Sequence, residues 1–148
     1  MLNLTFEQWA LIADIYTPLL ALWSARLILR ETTHNRKISL TALVVTICIV
    51  YVSRFVDEWL GIWPAFSADY STHTAVALAL VVHIAIKVGV WGKLIAVGSL
   101  LAYLQLMNHQ DYHTYLDMVS TIIYLLPLFW VSWLHFGAVK EEHSRTAD

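Results

Sequence analysis

Apolar runs fill this chain almost end to end, and lipid-embedded helices are the fold they allow. A bilayer's hydrocarbon core is about 30 Å thick and asks for roughly twenty apolar residues per helix. Runs of that kind fall at 8–29, 38–55, 72–91, 93–108 and 114–137, separated by short polar segments. Only 14% of the residues are charged, against about a quarter in ordinary soluble domains. In lipid every backbone polar group must be satisfied within its own segment or a closed barrel, so long apolar runs become helices. The expectation is an all-α, polytopic transmembrane bundle of about five spans, one membrane domain over 1–148.

The third and fourth spans are close enough to require a tight turn, expected around Trp91 and Gly92. Pro18 and Pro127 fall inside spans and predict kinks, because neighbouring groups in membrane helices re-satisfy the freed carbonyls. The N-terminal MLNLTFEQWA lacks a positive region and a small-residue cleavage site, so the first span reads as retained. The polar stretch KEEHSRTAD is expected to fray. A single cysteine, Cys48, excludes an internal disulfide and reads as a helix-packing residue.

Charge orients the bundle, since cytoplasmic loops carry the excess of Lys and Arg. Arg26, Arg30, Arg36, Lys37, Lys87, Lys93, Lys140 and Arg145 border the first loop, the third-to-fourth turn and the tail, which is eight of nine basic residues. The other two connections hold Asp57, Glu58, Asp69 and Asp111, with Arg54 as their cation. Five spans then run from an outer N-terminus to a cytoplasmic C-terminus. With a net charge of −2 and scattered cations, a nucleic-acid partner is excluded.

Two polar clusters share the outer face in that topology. Asp69-Tyr70-Ser71-Thr72-His73-Thr74 opens the third span, where its serine and threonines also suit helix capping. Asn108-His109-Gln110-Asp111-Tyr112-His113-Thr114-Tyr115-Leu116-Asp117 enters the fifth. His113 and Asp117 are four apart, so a helix already begun at His113 brings them into contact. A carboxylate beside a histidine selects which ring nitrogen carries the proton, as an imidazole nucleophile needs. A second, protonated histidine can supply the departing alkoxide with a proton.

In these two motifs the chain resembles the type-2 phosphatidic acid phosphatases and the related sphingomyelin and inositol-phosphoceramide synthases. Those families carry a Ser-X-His-Thr-like motif at the start of one membrane helix and His-X-X-X-Asp at the start of the helix two further on. Ser71-Thr72-His73-Thr74 and His113-Thr114-Tyr115-Leu116-Asp117 match in that order, and the resemblance covers about 70–137. It implies that His113 attacks phosphorus, Asp117 orients it, and His73 protonates the leaving group. Water or an alcohol then discharges the phosphohistidine, with no metal or other cofactor in the scheme.

The implied partner is a lipid phosphate held in the membrane. Hydrolase and phosphotransferase activity both fit, and a homo-oligomer is compatible with the sequence. The phosphatases also carry a Lys/Arg motif upstream and an arginine six residues before the nucleophile, where this chain has Met107. The synthase branch tolerates loss of that arginine and often has an extra histidine nearby, as His109 stands here. Arg54, Ser71, Thr72 and His109 are therefore the candidate phosphate-binding residues. The alternative role for Arg54 is an ion pair with Asp57 or Glu58. Lys87 lies fourteen residues along the helix from His73, about 21 Å away, and is discounted.

Other readings stay open. His109, His113 and Asp117, spaced i, i+4, i+8, could join His73 as zinc or iron ligands. Two histidines on facing helices could hold a b-type haem, and a non-catalytic relative would keep the motifs without turnover. His83, near mid-span, suits an interhelical hydrogen bond. Asp14, beside Tyr16 and Thr17 in the first span, is either a similar structural group or support for the site from behind. Trp59, Trp63, Phe66, Trp130 and Trp133 fit interfacial belts, and the stretch 59–70 is expected to lie flat along the membrane.

Overall fold

The computed structural model describes residues 5–146, with side chains described through residue 137. The chain forms five α-helices in the order α1 (Phe6–Leu29), α2 (Thr33–Leu60), α3 (Thr72–Lys87), α4 (Val90–His109) and α5 (Tyr115–Thr146), with a single 3-10 turn at Pro64–Phe66. No strand occurs among the described residues, and the fold is an all-α bundle. Four helices, α1, α2, α4 and α5, are long and apolar enough to cross a membrane.

Side-chain caps start α1 and α3, whereas Thr32 and Gly89 precede α2 and α4 without a side-chain cap bond. Thr5 and Gln8 close a reciprocal capping box at the start of α1, which satisfies two backbone N–H groups that a helix otherwise leaves open. Met1 to Leu4, part of the segment read as retained, lie outside the described residues. Ser71 caps α3 by accepting from the Thr74 N–H. Gly61, with φ of 63°, ends α2 in the left-handed conformation that glycine adopts without a side-chain penalty. Pro18 and Pro127 lie inside α1 and α5 as expected. The backbone of α5 stays helical to Thr146, so most of the stretch expected to fray extends the last helix; the final two residues lie outside the described ones.

The central element is α3, which packs against all four other helices. It buries nine of its sixteen residues. Ala75, Ala77 and Ala79 are fully buried, and such small side chains let neighbouring backbones come close. Sixteen residues make a helix of about 24 Å, short of a bilayer core of about 30 Å. The span expected over 72–91 therefore ends early, at Lys87, and the turn falls at Val88 and Gly89. Trp91 and Gly92, expected to form that turn, lie in the first turn of α4. Gly92 is required there because a Cβ would stand 2.7 Å from the Val88 side chain.

In the segment after α2, Trp63 and Tyr70 turn inward while most other residues of 59–70 are exposed. Trp63 is 2% exposed; its backbone N–H donates to Asp57 Oδ1 and its indole N–H to Ser120 Oγ, each at 2.8 Å. Its ring meets Tyr70 and Tyr124 edge-on at 4.9 and 5.2 Å. Indole carries one polar atom on a large apolar body, and once that N–H has a partner burial beats the interface. Tyr70 donates to the Val50 carbonyl at 2.9 Å. Trp59 and Phe66 do face outward.

At the opposite end of α3, His83 is fully buried and hydrogen-bonds Ser24 on α1 through Nδ1, the interhelical role expected of it. Trp133, assigned from sequence to an interfacial belt, stacks on His83 at 5.3 Å instead. Lys87 donates to Glu31 and Ser39, both at 2.7 Å, tying α3 to the first connection. Cys48 is exposed on the outer face of α2, not packed within the bundle.

Glycine geometry yields a matched pair of substitutions in α4. Gly92→Ala should lower stability by about 1–3 kcal/mol through the clash with Val88. Gly98, which a Cβ would leave with nothing within 4 Å, should accept alanine with a gain of up to about 1 kcal/mol. Thermal unfolding of the two purified variants in detergent checks the opposite signs.

Candidate functional site

The site is assembled by the start of α5. Thr114 and Asp117 form a second capping box: the Thr114 N–H donates to Asp117 Oδ2 at 2.8 Å, and the Asp117 N–H returns to Thr114 Oγ1 at 3.3 Å. The other carboxylate oxygen, Oδ1, accepts the Asp69 N–H at 2.8 Å. One turn further in, Thr121 Oγ1 accepts the Ser71 N–H at 3.2 Å and donates to the Asp117 carbonyl. The backbone leading into α3 is thereby stapled to the first turns of α5, which puts the two sequence motifs side by side.

His113 precedes the helix, so its approach to Asp117 is not the helical i, i+4 contact that the spacing suggests. The capping box folds the chain back, and His113 Nδ1 stands 3.7 Å from Asp117 Oδ2. That is beyond hydrogen-bond length and within electrostatic reach. Burial is the main influence on this imidazole and pulls its pKa below the usual value; Asp117 opposes the shift and His73 adds to it. The neutral ring is favoured. With Nδ1 turned to the carboxylate, the N–H belongs there and Nε2 keeps its lone pair.

His73 sits in the first turn of α3, its ring centroid 6.1 Å from that of His113. Tyr112 stacks near it at 6.4 Å and 22°. A Schellman-type ending sets Tyr112 in place: Asp111 takes a φ of 55°, and the Tyr112 N–H reaches back to the Met107 carbonyl. Met107, at the position where the phosphatases have arginine, is itself buried at 1% exposure.

The remaining residues singled out from sequence separate. Thr72 joins His73 in lining a cavity of about 290 Å³ between α1, α2, α3 and α4, together with Asp14, Thr17, Tyr51 and Tyr103. Ser71 is fully buried and its hydroxyl is occupied by Thr74. His109 ends α4 and points its ring at Trp9, 6.5 Å away. Arg54 donates to Glu58 at 2.9 Å and to Asp69 Oδ1 at 3.5 Å. Asp57, the other carboxylate considered for it, is buried and accepts from Trp63. Arg54 thus stands one residue removed from the Asp69 N–H that Asp117 holds, and it does not line the cavity.

The helix break between His109 and Asp117 dissolves the i, i+4, i+8 pattern that suggested a zinc or iron site, and among the described residues no three His, Cys, Asp or Glu side chains converge as metal ligands. Sequence reasoning passed over Gln110, which is 4% exposed with both side-chain amide atoms unpaired among the described residues. Its only signal was polarity in a segment of polar residues. The capping role of Thr114 was visible in principle, since Thr-X-X-Asp before an apolar run is a helix-start pattern.

No protein-family model matches the chain. No curated protein and no solved structure matches it either.

Asp117 should therefore matter to the fold as well as to any chemistry. Asp117→Ala removes acceptors for two backbone N–H groups and is expected to cost about 2–4 kcal/mol. His113→Ala should cost under about 1 kcal/mol, because its side chain forms no hydrogen bond of normal length. Equilibrium unfolding of both variants checks the contrast.

Proposed function

We propose that the protein is a membrane enzyme that cleaves or transfers a lipid phosphoester through a phosphohistidine on His113, at the extracytoplasmic face, with hydrolysis ahead of head-group transfer. The observation that carries this reading is the pair of imidazoles 6.1 Å apart, one of them held beside a carboxylate. An attacking atom approaches phosphorus at about 3 Å, and a proton donor sits about 2.8 Å from the leaving oxygen. Centroids 6.1 Å apart place both rings near enough to contact one phosphoryl group.

In the proposed first step Nε2 of neutral His113 forms a bond to phosphorus while the bond from phosphorus to the lipid alcohol oxygen breaks. Protonated His73 gives its proton to that oxygen, so the alcohol leaves neutral. In the second step His73, now neutral, takes a proton from water or an acceptor alcohol as that oxygen attacks phosphorus. The bond to His113 breaks and both rings return to their starting states. Asp117 acts through His113 as a positioning residue, favouring the Nδ1–H tautomer. Arg54 is the proposed clamp on the equatorial oxygens. A phosphate would have to draw it from Asp69, its longer and more exposed partner. The outward face of the site and the cytoplasmic C-terminus follow from the distribution of Lys and Arg.

Two properties test this assignment. Attack needs neutral His113, whose pKa is lowered, so activity should persist as pH falls past the ordinary histidine value of about 6.5 and be lost only below it. A pH profile of kcat/KM whose acid limb lies at or above that value contradicts His113 as the base form. His73→Ala should slow an alkyl phosphoester by about 100-fold or more and a nitrophenyl phosphoester much less, because nitrophenolate departs without a proton. Equal losses on the two would remove His73 as the acid.

A further inference from the structure

The cavity beside His73 carries the wrong charge for a bare phosphate. Among the residues lining its wall are Asp14, Thr17, Tyr51, Thr72 and Tyr103; no Lys or Arg contributes. Asp14 lies eight residues into α1, about 12 Å along the helix. Its side chain is exposed at the mouth of the cavity and forms no hydrogen bond or ion pair among the described residues. A carboxylate at that depth is costly unless it faces a cavity and meets a positive partner. Arg54, the cation beside the site's first motif, is engaged with Glu58 and Asp69. The wall of the cavity holds no Lys or Arg to face Asp14.

We propose that this cavity is a subsite for a primary ammonium group adjacent to the phosphoester, with Asp14 as its counter-ion and specificity determinant. The proposal rests on the phosphoester reading for its phosphate half and on Asp14 for its amine half. His73 lines the cavity and also faces His113, so a phosphate between the rings and an amine a few atoms away would be bound at once. The volume, about 290 Å³, corresponds to about ten water molecules and holds an aminoethyl group with room to spare.

A primary ammonium suits the wall better than a quaternary one. Its three N–H donors match a carboxylate and the hydroxyls of Thr17 and Tyr103. A trimethylated nitrogen has no donor to give and depends on several open aromatic faces; of the two tyrosines lining the cavity, Tyr103 has a face covered by Tyr16, with ring centroids 4.3 Å apart, which leaves Tyr51. Tyr51 is half exposed on the outer side of α2, so the cavity opens toward the surrounding lipid.

Binding can be separated from turnover in His113→Ala protein. Short-chain phosphatidylethanolamine, phosphatidylcholine and phosphatidic acid are titrated in detergent micelles, with calorimetry as the readout. Phosphatidylethanolamine should bind about tenfold or more tighter than phosphatidylcholine. Adding Asp14→Asn should abolish that preference and leave phosphatidic acid unchanged. Competition by O-phosphoethanolamine would name the water-soluble ester as a source of the amine; no competition would name the lipid.

Asp14→Asn should leave the melting temperature of the unliganded protein unchanged, because the exposed side chain makes no hydrogen bond or ion pair, and this guards against a variant that simply misfolds. Equal binding of all three lipids, or a preference that survives Asp14→Asn, overturns the subsite. If the preference holds and parent protein turns over no phosphoester, the subsite stands and the catalytic reading falls. If turnover occurs and Asp14→Asn changes no selectivity, the reverse is true.

Discussion

One carboxylate holds the two halves of the site together. Asp117 accepts the Thr114 N–H with one oxygen, which starts α5, and the Asp69 N–H with the other, which fixes the approach to α3. Charge-assisted bonds of this kind are shorter and stronger than neutral ones, and here they satisfy donors that would otherwise be left open beside an apolar bundle. Thr121 repeats the link at Ser71 one turn deeper. His73 and His113 belong to segments forty residues apart, and they meet because the backbones that carry them are joined at these points. The same group that orients His113 is thus part of the frame, and structure and proposed chemistry are not separable at this residue.

Charge around the site is divided between two places. Asp69 and Glu58 already hold Arg54, while Asp14 lines the cavity together with His73. Met107 is an apolar residue buried under the turn that carries Tyr112, so it adds no cation there. A phosphate would be held chiefly by Arg54 and protonated His73, and a substrate carrying its own ammonium would offset the negative wall.

The helices and the pairing of motifs were legible because apolar length and cap residues act locally. Thr72 to Lys87 and Val90 to His109 were found to within a few residues, and the error at Trp91 and Gly92 came from treating glycine as a turn former when its role is close packing against Val88. Trp63 and Trp133 were misassigned for a related reason. Tryptophan suits an interface by composition, and only Ser120 and His83, distant in sequence, draw these two inside. In the candidate site, His113 and Asp117 were paired from spacing. That spacing gave the right contact by the wrong geometry, since the helix begins after His113. Asp14 had no neighbouring motif to mark it, and its cavity depends on four helices meeting, which no local pattern encodes.

The central chemical claim is that phosphorus becomes bonded to His113. Purified protein is mixed with lipid labelled in its phosphate and quenched within the first turnover, and the adduct is mapped by its lability. A label stable in base, released by acid, and absent in His113→Ala is the predicted result. A label on another residue, no label during active turnover, or a haem absorption band or stoichiometric zinc or iron in the active preparation would contradict it.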